Sequence, residues 1–65
     1  MSKETHFCII IDRATKKELA EIGNIYASDW YYARHIAADN FRKDDKYKEI
    51  RKEYTDWCVD SFQVI

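Results

Sequence analysis

Sixty-five residues confine this chain to one small core, at a size where apolar burial barely exceeds the entropy lost on ordering, about 1.5 kcal/mol per residue. With 46% hydrophobic and 15% aromatic residues, one glycine and no proline, the composition excludes a disordered tail. Eleven basic and twelve acidic residues leave a formal net charge of −1, which gives no general pull toward nucleic acid or an anionic membrane.

The first apolar run is residues 7–11, Phe-Cys-Ile-Ile-Ile. It is too short for a signal-peptide core, and no run approaches a membrane span. The expectation is a single small domain over residues 1–65, soluble and cytoplasmic, with no membrane partner. Cys8 and Cys58 are then expected to be free thiols. The same β-branched run, ended by Asp12-Arg13, predicts a short strand. Thr15 and Glu18 have the spacing of a capping box, which predicts a helix starting near Lys16.

From there Leu19, Ile22, Tyr26, Trp30, Ala33, Ala37 and Phe41 recur at steps of three or four. The pattern predicts one long helix over residues 16–41, and a break at Ser28-Asp29 is the alternative because either residue can be an N-cap. Residues 42–45 form the turn, and Asp44 or Asp45 caps a second helix. Tyr47, Ile50, Tyr54, Trp57 and Ser61 repeat in the same steps, with Lys48, Glu49, Lys52, Asp56 and Asp60 opposite them. Residues 60–65 either extend this helix or return as a strand against residues 7–11. The expected architecture is α+β and helix-dominated: a short N-terminal strand, an antiparallel two-helix hairpin and, as an option, a short closing C-terminal strand. A lone strand leaves unpaired backbone groups on both edges, so it must find a partner within the chain or outside it.

Chemistry is sparse. His6, Cys8, His35 and Cys58 carry metal-ligating atoms, but only His6-x-Cys8 is close in sequence, short of the paired spacing of structural zinc sites. No metal or cofactor is expected. A Cys–His nucleophile needs a shaped pocket that so short a chain cannot easily wall off, and the single glycine, Gly23, makes no phosphate loop. An enzyme is not expected.

Two binding readings remain. Residues 42–53 hold six basic and four acidic residues. Arg42, Lys43, Lys46 and Arg51 form the set for nucleic-acid binding or transcriptional regulation, the alternative reading, which the interleaved acids weaken. The preferred reading is protein binding. Trp30, Tyr31 and Tyr32 are consecutive, and successive helical positions lie about 100° apart, so the three rings cannot share one face. In a continuous helix Trp30 joins the core arc and Tyr32 its border. Tyr31 then falls among Ala20, Ala27 and Ala38, where small residues let another surface approach. Tyr31, Tyr32, Arg34 and His35 are the expected contact residues, with Ala27 and Ala38 lining the contact. The expected function is a small non-enzymatic protein-binding module, homodimeric or completed by its partner. It would inhibit or regulate a larger protein, as antitoxins, immunity proteins and phage-encoded inhibitors do.

Overall fold

In a computed structural model, which describes residues 4–64, three antiparallel strands form a sheet with one principal helix laid across it. The elements are β1 (His6–Asp12), β2 (Glu18–Ile25), α1 (Trp30–Lys43), a 3-10 turn (Asp45–Tyr47), α2 (Lys48–Glu53) and β3 (Trp57–Gln63). The sheet order is β2-β1-β3, so the apolar run is the central strand. Its even-numbered residues, His6, Cys8, Ile10 and Asp12, are buried beneath α1, while Phe7, Ile9 and Ile11 are half-buried on the opposite face. A strand covered on one side and flanked on both edges explains an unbroken apolar run better than simple alternation does.

The helix-dominated hairpin expected from the sequence is overturned. Strands of 7, 8 and 7 residues stand against helical segments of 14, 3 and 6. The long helix over residues 16–41 is two elements. Thr15 does not cap a helix: its backbone N–H and hydroxyl both donate to Asp12 Oδ2, at 3.2 and 2.5 Å. That bonding tightens a hairpin turn in which Lys16 takes a left-handed φ of 66°. The helical spacing of Ile22 and Ile25 comes from a β-bulge. Between the pairs Cys8↔Ile22 and His6↔Ile25, β1 has one residue where β2 has two, Gly23 and Asn24. Asn24 sits at φ 57° and Ile25 turns back into the core, so a strand acquires an apolar step of three.

The helix begins at the alternative break. Asp29 is the N-cap, its Oδ1 accepting from Tyr32 N–H at 2.8 Å. The angular frame therefore restarts at Trp30. The residues facing the sheet are Ala33, Ala37, Ala38 and Phe41, which join Cys8, Ile10, Ile22, Ile25, Tyr47 and Val59 in the core. Trp30 and Tyr26, expected in the core, are 58% and 52% exposed.

The second long helix also fails to persist. Tyr47 and Ile50 pack inward as expected, but α2 ends at Glu53 and residues 57–63 are strand. β3 pairs with β1 from Asp12↔Trp57 to His6↔Gln63 without a register shift. Arg51 closes the corner, donating from Nη1 to Phe41 O at 2.6 Å, in the last turn of α1, and to Asp44 O at 2.7 Å, which also accepts from Tyr47 N–H at 3.1 Å.

Thr5 fastens the other end. Its N–H donates to Ile25 O at 2.8 Å, and its hydroxyl accepts from Ala27 N–H at 2.8 Å and lies 3.0 Å from Ala27 O. The same hydroxyl lies 2.8 Å from His6 Nδ1.

The bonds Arg13 N–H to Asp56 O and Val64 N–H to Thr5 O fix the phase of the β1–β3 ladder. Cys58, Asp60, Phe62 and Val64 turn their backbone groups toward β1, and Trp57, Val59, Ser61 and Gln63 turn theirs outward. Amide exchange followed by NMR is expected to alternate along β3, slow at Cys58 and Asp60 and fast at Val59 and Ser61. Uniform protection would contradict the register. Asp29→Ala is expected to cost about 1 kcal/mol in denaturant titration.

Candidate functional site

The side of α1 that overhangs β3 carries residues one turn apart: Trp30, Arg34, Ala38 and Arg42, with Tyr31 and His35 beside them. They face β3 across two grooves that join at Arg34 and Val59. One, of about 370 Å³, is lined by Trp30, Arg34, Val59, Asp60, Ser61 and Phe62. The other, of about 290 Å³, runs past Tyr31, His35, Ala38, Arg42, Trp57 and Arg13.

The grooves are rich in cations and aromatic rings. Arg42 lies 5.3 Å from the Trp57 ring centroid and Arg34 lies 5.7 Å from that of Trp30. Tyr31 meets Trp30 and His35 edge to face, at 5.8 and 4.7 Å. Arg13 pairs with Asp56 at 3.0 Å and Arg42 with Asp39 at 3.6 Å, both at the solvent-exposed rim. Arg34 differs from both. Its Nε is buried and has no hydrogen-bond partner among the described residues. A buried guanidinium N–H without an acceptor is costly.

Tyr31, Arg34, His35 and Ala38 from the expected protein-binding set therefore converge on one groove, joined by Arg42 from the alternative set. Tyr32 is 55% exposed on α1. Of the two alanines, Ala38 lines that groove while packing against the sheet, and Ala27 packs at the core's margin. The basic residues of the turn are dispersed. Arg51 is committed to the carbonyls at the end of α1, Lys46 lies 5.0 Å from the Tyr47 ring centroid, and Lys43 is exposed in the last turn of α1. The β3 half of the groove, with Trp57, Val59 and Ser61, is masked in the sequence because Trp57 and Ser61 continue the helical period of Tyr47 and Ile50. The alternation of Trp57, Val59 and Ser61 was the signal for it.

Among the described residues no three His, Cys, Asp or Glu side chains gather as a metal-binding group, and no helix is long and apolar enough to cross a membrane. Cys8 and Cys58 are both free thiols. They lie on opposite faces of the sheet, since Cys8 pairs with Ser61 and Cys58 with Ile11. Burial pushes the Cys8 thiol above its ordinary pKa of 9.0, against the opposing influence of Ser61 and the Arg34 charge. No protein-family model matches the chain, and neither a curated protein nor a solved structure matches it.

Iodoacetamide is expected to modify Cys58 in the folded protein and to reach Cys8 only on unfolding; equal rates at the two sites would contradict the burial. A thiol pKa raised by folding contributes stability that is whole below 9.0 and is lost as pH climbs toward the raised value. Thermal melts of the wild type are therefore expected to fall more steeply above that pH than those of Cys8→Ala.

Proposed function

We propose that this chain is a small non-enzymatic protein-binding module whose contact surface is the outer side of α1 together with the groove between α1 and β3. The observation that carries the reading is the cluster of Tyr26, Trp30, Tyr31 and Tyr32 on and just before the first turn of α1, each more than half exposed at 52%, 58%, 58% and 55%. Large rings exposed in so small a protein are costly in water. Tyrosine, tryptophan and arginine are also the side chains that dominate binding energy at protein interfaces. Arg34 and Arg42 stand beside these rings and add directional charge. The role we attach to this surface is inhibition or regulation of a larger protein, of the antitoxin, immunity-protein or phage-inhibitor type. Its two unbridged thiols suit a reducing cytoplasm.

Nucleic acid is the competing partner, because the same rings and guanidiniums can stack bases. Against it stand the net charge of −1 and the engagement of Arg51 within the fold. A second copy of the chain is the other competitor.

Immobilised wild-type protein is expected to retain a specific partner from a lysate of the source cell or its host. Trp30→Ala and Tyr31→Ala should each weaken that retention about 30-fold, or about 2 kcal/mol, with unchanged circular dichroism. Retention on single-stranded DNA that survives Tyr31→Ala but fails with Lys43→Ala or Lys46→Ala would sink the protein-binding reading. Light scattering that shows a dimer dispersed by Trp30→Ala would assign the rings to self-association.

A further inference from the structure

The two edges of the sheet are built differently. β2 carries two bulges, one at Gly23-Asn24 and one where Ile10↔Ala20 is followed by Ile11↔Glu18. It also carries Glu18 and Glu21. Bulges and charges are the devices by which an edge strand refuses further pairing. β3 has no bulge, proline or lysine along its seven residues, and its only charged side chain is Asp60. Its outward backbone groups belong to Trp57, Val59, Ser61 and Gln63. Of these, Trp57 O is engaged, by Arg13 Nη2 at 3.3 Å. Val59 and Ser61 also line the groove beneath Trp30 and Arg34.

We infer that the groove receives an extended acidic segment of a partner protein, which adds to β3 as a fourth strand. Its main chain pairs with Val59 and Ser61, and its carboxylates meet Arg34 and Arg42. The inference deepens the protein-binding reading and rests on it. Charge complementarity selects the occupant: of the three guanidiniums that line the joined grooves, Arg13 and Arg42 are paired at the rim with Asp56 and Asp39, whereas Arg34 has no carboxylate partner among the described residues. The Arg34 Nε lacks an acceptor in the same place. A carboxylate matches the fork of the guanidinium. Main-chain pairing would supply affinity, and the alternate side chains above the groove would supply the preference for acids. A second copy pairing through its own β3 is less suited, because centring on Ser61 and Val59 would set Asp60 opposite Asp60.

The test uses a capped seven-residue peptide of alternating valine and glutamate, its valine–lysine counterpart, and the glutamate peptide N-methylated at alternate residues to remove the pairing amides. Binding is read by tryptophan fluorescence and by amide exchange. The acidic peptide is expected to bind and to slow exchange at Val59 and Ser61. The lysine and N-methylated peptides, and the Arg34→Gln protein with the acidic peptide, should bind at least about tenfold more weakly. Equal binding of the acidic and lysine peptides, unchanged exchange at Val59 and Ser61, or no binding by about 1 mM would overturn the inference. Ser61→Pro removes an outward amide without touching the β1 ladder. If lysate capture survives Ser61→Pro but fails with Tyr31→Ala, the module binds protein by another route and strand addition is wrong. If neither variant changes capture, the protein-binding reading fails as well. Dimerisation of the free chain abolished by Ser61→Pro would give the edge to a second copy and overturn the acidic partner.

Discussion

The close seat of α1 on the sheet is the contact on which the rest of the molecule depends. Ala33, Ala37 and Ala38 present little more than methyl groups to the strands, so the helix can approach closely. Phe41 then fills the space at its end, fully buried, 5.2 Å from the Tyr47 ring and 4.8 Å from that of Trp57. Complete burial of such a ring contributes on the order of 2–3 kcal/mol, a large share of the stability available to a domain of this size. Alanine is also the residue that gives up least side-chain entropy in a helix. The cost is that little volume remains for error, because a larger side chain at Ala33 or Ala37 would lift the helix and open the groove beside it.

Around that contact the chain uses short polar fastenings instead of a larger core. Thr5 holds the end of β2 to the approach of α1, Asp29 starts the helix, and Arg51 closes its far end. Arg13 ties the first hairpin to the beginning of β3 through Asp56 and Trp57. Each fastening satisfies backbone groups that a loop or helix end would otherwise leave unmet. Their placement matters for the groove: Thr5 and Asp29 fix where Trp30 starts, and Arg13 fixes where β3 enters. The two walls are set by separate parts of the chain, the helix wall by residues 30–42 and the strand wall by residues 57–62.

The sequence declared some of this openly. The β-branched run at residues 7–11 marks β1, and Asp29 announces the start of α1 to anyone who trusts a cap above a period. β2 was concealed because its bulge substitutes a step of three for a step of two, which imitates a helix at Ile22 and Ile25. The one glycine and its asparagine neighbour were the local sign of irregular backbone. β3 was concealed differently. A genuine helical turn through Tyr47 and Ile50 precedes it, and Trp57 and Ser61 extend that period by coincidence into a segment poor in strong helix formers. Half of the groove was legible for the same reasons. Tyr31, Arg34 and His35 share a helix whichever way its start is drawn, whereas the facing wall comes into being only when residues 57–63 pair with β1.

The plain edge of β3 has a bearing on how much of this protein a cell can hold. An unguarded strand is a template for any chain that matches it, its own copies included, and half-buried Phe7, Ile9 and Ile11 lie on the neighbouring face. Proteins that keep such an edge trade solubility for readiness. A chain with such an edge stays single most readily when dilute, because pairing between copies rises with its own concentration.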